Sequence, residues 1–76
     1  MYKYAARYRI KVESSTRHPP RVGVDYTFHE IEFRAEGIKE AEAKAKRRLP
    51  EVAKPFLREN PLADVILQYV VQLPKE

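Results

Sequence analysis

Few side chains in this chain could perform chemistry, and their spacing argues against most of it. Two histidines, His18 and His29, stand eleven residues apart, with no cysteine anywhere in the chain, so the ligand spacing of a metal site is missing. Ser14 and Ser15 lie in a polar stretch without the glycine-rich elbow that presents a nucleophilic serine. Gly23 and Gly37 are the only glycines, too few for a phosphate-cradling loop or a dinucleotide fingerprint. Glu30 and Glu32 would share one face of a strand, as acid–base carboxylates can. Arg7 and Arg9 are expected across from them, which makes them partners in cross-strand ion pairs. The sequence therefore predicts no catalytic residue, no metal and no cofactor, and points to a binding module.

Charge says more than reactivity. Residues 1–24 hold six bases against one acid, residues 25–42 two against six, residues 43–58 six against one, and residues 59–76 one against three, for a net charge of +4. Two basic blocks separated by acidic ones allow a nucleic-acid footprint. Its expected phosphate contacts are Arg17 and Arg21 in a loop, and Lys46, Arg47 and Arg48 near a helix end, with Arg7, Arg9 and Lys11 assisting. A self-compensating surface accounts for Arg7 and Arg9 through Glu30 and Glu32, but accounts less well for the loop and the helix-end cluster.

The elements that must position these groups follow from periodicity. Tyr2, Tyr4, Ala6, Tyr8, Ile10 and Val12 alternate with Lys3, Ala5, Arg7, Arg9 and Lys11, which predicts a strand with an apolar face and a basic face. Residues 13–21, with Ser14-Ser15-Thr16 and His18-Pro19-Pro20, predict a mobile basic loop. Val22, Val24, Tyr26 and Phe28 hold one parity and Ile31, Phe33 and Ala35 the other, which predicts a second strand with a β-bulge near His29-Glu30. Beyond Gly37, Ile38, Ala41, Ala45 and Leu49 recur at helical spacing. Pro50 is expected to end or kink this helix, with a possible short second helix over 50–58. Asn60-Pro61 predicts a turn, and residues 63–73 a last strand closed by Pro74.

These elements form a ββαβ order and an α+β fold. A three-stranded antiparallel sheet in spatial order 2-1-3 is expected, with the helix on one face. That face would pack through Tyr2, Tyr4, Tyr8, Ile10, Ile31, Phe33, Val65, Leu67, Val71, Ile38 and Leu49. Tyr2, Tyr4 and Tyr8 could in principle stack nucleobases. A platform would want its bases on the same face, however, and here they point away, so core packing is expected.

With 76 residues, the chain makes one small domain, 1–76, with a limited core. The lack of cysteine fits a reducing cytoplasm. The first residues show no apolar secretion signal, and runs such as Val65-Ile66-Leu67 are too short to span a bilayer, so a cytoplasmic location without membrane contact is expected. Plentiful mixed charge, with scarce Asn and Gln, resembles the composition of thermophile proteins. Ala5, Ile66 and Val70 would fall on the sheet face away from the helix. Aliphatics there suggest a protein partner or a homodimer, unless residues 50–58 cover them. Two functional classes remain: a nucleic-acid or ribonucleoprotein-associated module, and a protein-interaction domain.

Overall fold

A computed structural model describes residues 1–17 and 20–74, with the backbone alone described for 14–17 and 20–22. The order is β1 (Tyr2–Arg17), β2 (Pro20–Ala35), α1 (Ile38–Glu59) and β3 (Asp64–Gln72). The sheet is antiparallel in order β2-β1-β3, the expected α+β topology. The alternation in β1 becomes burial. Tyr4, Ala6, Tyr8 and Ile10 are buried against the helix, while Ala5, Arg7 and Arg9 stay half-exposed on the other side.

The helix contributes Ala41, Ala45 and Ala53 to this core. Their small side chains let α1 lie close to the sheet, so that Tyr8 reaches it and donates its hydroxyl to the Ala45 carbonyl at 2.6 Å. Phe33, Ile31, Leu49, Val52, Leu67 and Val70 pack around these clusters.

Several expectations need correcting. The hairpin strands continue through most of the expected loop, to Arg17 and from Pro20. Ser and Thr suit extended backbone, and a proline at the first residue of a strand forfeits little. His18 and Pro19 lie outside the described residues.

No bulge interrupts β2. Its register with β1 runs unbroken from Tyr2↔Ala35 to Arg17↔Pro20, and the parity switch in its apolar residues marks a strand with apolar groups on both faces. The irregularity lies instead in β3. Arg7 pairs with Tyr69 and Tyr8 with Leu67, leaving Gln68 as the extra residue. That one residue reverses the faces of the strand's second half. Val70 becomes a core residue and Val71 turns to the uncovered face, the opposite of both expectations. Tyr2 and Ile38, at the sheet end and the helix start, are exposed and outside the core.

Pro50 does not end the helix. A single 22-residue α1 contains both Pro50 and Pro55. Each ring removes the donor that would meet the carbonyl four residues back, a defect worth about 3 kcal/mol in a helix interior. Both prolines are exposed, so the defect faces solvent, and packing of Val52 and Ala53 on the sheet side carries the helix through. The expected turn is present, with the Ala63 amide donating to the Asn60 carbonyl at 2.9 Å. No helix among the described residues is long and apolar enough to cross a membrane.

Candidate nucleic-acid interface

Helix α1 crosses over the sheet so that its third turn approaches the outer edge strand β2. Arg34, Lys44, Arg47 and Arg48, with Phe33 at the floor, line a groove of 380 Å3 there. Lys44 is held in place at both ends of its reach. Its ammonium donates to the Arg34 carbonyl at 2.9 Å and pairs with Glu40 at 3.1 Å, one helical turn back. Among the described residues, Arg47 and Arg48 have no carboxylate at ion-pair distance. Arg48 stands close enough to act on the Tyr8 phenol. Burial pushes that phenol above its ordinary 10.0, and the Arg48 charge partly offsets the rise.

Of the expected contacts, Arg47 and Arg48 thus come together with Lys44, from the same basic helix stretch, and with Arg34, a base that the sequence did not single out. Lys46 is exposed on the helix and does not line the groove. Backbones of Arg17 and Arg21 belong to the distal hairpin, opposite Pro20 and Thr16, but their side chains lie outside the described residues. Arg48 also borders a second groove of 420 Å3 with Ile31, Val52, Pro55 and Phe56. His29 sits at this groove, its ring edge-on to Phe56 at 6.3 Å. The described residues hold no cluster of potential metal ligands.

Among the described residues, no helix lies over the other side of the sheet. Lys3, Ala5, Arg7, Arg9 and Lys11 form its central row; Val24, Tyr26, Phe28, Glu30 and Glu32 flank it on β2, and Asp64, Ile66, Tyr69 and Val71 on β3. Residues 50–58 lie on the helix side and leave this face open, with Tyr26 51 % and Phe28 44 % exposed. Ala5 and Ile66 belong here as expected, while Val70 does not.

Compensation of the basic row is partial. Lys3 pairs with Glu32 at 3.1 Å, Lys11 with Glu13 at 3.4 Å, and the Arg7 Nε lies 3.8 Å from Glu30, which also accepts from the Tyr69 hydroxyl at 3.4 Å. Arg9 does not meet Glu32, because register places it opposite Phe28. Each arginine leans instead across a ring, Arg7 at 4.0 Å from the Phe28 centroid and Arg9 at 5.3 Å from that of Tyr26. These two Nε groups are shut from solvent and have no hydrogen-bond partner.

The aromatic residues on the basic face are therefore Tyr26, Phe28 and Tyr69. Tyr4 and Tyr8 are core, as their shared parity with Ile10 implies. The signal for Tyr26 and Phe28 was present in the sequence, since they share β2 parity with Glu30 and Glu32, the expected neighbours of the basic row. No family model, curated protein or solved structure matches the chain.

Proposed function

We propose that this is a small non-enzymatic module that binds nucleic acid through its phosphates, with the groove between β2 and α1 as the primary contact. The observation that carries this reading is the convergence of Arg34, Lys44, Arg47 and Arg48 on one groove with no acid among the described residues that line it. Lys44 is partly compensated by Glu40, but the three arginines have no carboxylate at ion-pair distance among the described residues and repel one another. A polyanion relieves that repulsion and releases its own condensed counterions in doing so. Arginine planes also match the geometry of phosphate oxygens.

Lys46, beside the groove, adds charge at longer range, and Arg17 and Arg21 would extend the footprint along the hairpin. A cytoplasmic location fits this reading and the lack of cysteine. The test is titration of a labelled oligonucleotide by fluorescence anisotropy at several salt concentrations. Affinity is expected to fall steeply with salt. The variant carrying Arg47→Ala and Arg48→Ala should flatten the log–log slope by about 1.4 to 1.8 units, the equivalent of two phosphates. Binding indifferent to salt, or an unchanged slope in the variant, would remove the proposal.

The rival reading is a protein-interaction domain docking through the open sheet face. Exposed Val24 and Val71 favour it. It predicts no affinity for nucleic acid and a partner that masks this face.

A further inference from the structure

We propose that the open face of the sheet is a stacking platform for unpaired bases, so that the nucleic acid bound is single-stranded. This inference rests on the nucleic-acid reading and specifies its substrate class. Its basis is the combination of exposed rings and basic groups on one face. Tyr26 and Phe28 stand two residues apart on β2, about 7 Å along the strand, and Tyr69 stands across the central strand on β3. All three rings are more than a third exposed. Arg7 lies between Phe28 and Tyr69, with its guanidinium 4.0 Å and 6.0 Å from the two centroids. Bases stack on aromatic rings and on guanidinium planes alike, and a duplex hides the base faces that such stacking needs.

The arginines give a second reason. Laid on the rings, the Arg7 and Arg9 Nε groups are closed off from water and make no hydrogen bond, the Arg7 Nε having only Glu30 at 3.8 Å, and a buried donor without a hydrogen bond costs free energy. A base inserted at the rings and a phosphate at the row's edge would lift the guanidinium groups into hydrogen bonds. The face is also continuous with the groove. Arg34 belongs to the open face by its pairing with Lys3, yet it lines the groove, so one strand could pass around the β2 edge and use both surfaces.

A second copy of the chain is the weaker occupant. In a two-fold pair of sheets with aligned strands, β1 lies over β1. The central rows of Lys3, Arg7, Arg9 and Lys11 would then face their own copies.

The experiment measures binding of the full chain to a labelled oligothymidine and to a duplex of equal length, by anisotropy and by quenching of tyrosine fluorescence. Single-stranded DNA should bind at least about tenfold more tightly, with tyrosine emission quenched. Tyr26→Leu and Phe28→Leu should each weaken it by about 5- to 100-fold with an unchanged salt slope. Arg9→Lys, which keeps the charge and β1 intact, should also weaken binding without altering the slope. Circular dichroism checks that each variant is folded. Equal affinity for duplex and single strand, with the Arg47/Arg48 effect retained, overturns the platform and leaves the groove reading standing. No binding to either overturns both. A species of twice the chain mass, dispersed by Phe28→Leu, assigns the face to a second copy and overturns the platform.

Discussion

Replacing Tyr8 with Phe isolates one hydrogen bond in a core built from alanines, Ile10 and the Tyr4 ring. Tyr8 is fully buried, and its hydroxyl spans from the central strand to the Ala45 carbonyl at 2.6 Å. The ring is kept in the substitution, so packing and cavity terms nearly cancel. Ala45 retains its place in the helical ladder, so no carbonyl is orphaned. What is lost is one net buried hydrogen bond, about 1 kcal/mol near neutral pH, or a fall in Tm of about 4–8 °C for a domain of this size.

The pH dependence follows from the raised phenol pKa. The unfolded chain releases this proton near its ordinary value of 10.0, while the folded chain still holds it. Above that pH the folded state binds more protons, so stability falls as pH rises; below it, the contribution is constant. Tyr8→Phe removes this loss. Urea unfolding at pH 7 and at stepped values above 10 should therefore show the wild-type advantage shrinking with alkalinity. An advantage that stays constant or grows across that range, or a variant more stable at pH 7, would refute the reasoning.

Substitution at Gly37 should act in the opposite direction. The residue caps α1 with an extended backbone, supplies no side-chain cap, and has nothing within 4 Å of where a Cβ would sit; Gly37→Ser should add about 0.5–1 kcal/mol in denaturant melts. Adjacent valines in β3 should respond unequally because of the extra Gln68. Val70→Ala should cost about 1–2 kcal/mol and Val71→Ala less than about 0.5, and the reverse order in chemical unfolding would show that the faces had been assigned the wrong way round.

The legible parts of the fold were those where two faces differ in chemistry. β1 sets tyrosines and Ile10 against lysines and arginines, so its parity could be read directly, and with it the sheet order and the position of the helix. In β2, Val24, Tyr26 and Phe28 face away from the helix while Ile31 and Phe33 face it. Apolar residues on both faces leave the same trace as a phase shift, so a straight strand reads as a bulged one. The true bulge in β3 left no trace because Ile66 and Leu67, or Val70 and Val71, are interchangeable by hydropathy. Pro50 and Pro55 read as boundaries because local propensity is all that a sequence window contains; packing across the sheet overrides it. The groove was half legible. Lys44, Arg47 and Arg48 share one helix face at i,i+3 and i,i+4 spacing, but Arg34 joins them only through where the helix crosses the edge strand.

The strands differ in reach, and this shapes how the molecule shares out its stability. β3 covers β1 only from Tyr4 to Lys11, while the β1–β2 pairing continues to Arg17. Beyond Lys11 the two strands run on as a bare ribbon for about 20 Å, and a lone pair of strands is marginal in water. The ribbon can unzip from its outer end while the three-stranded base stays intact. Damage or cleavage there is absorbed locally, whereas the same injury at Tyr8 would bring down the whole domain.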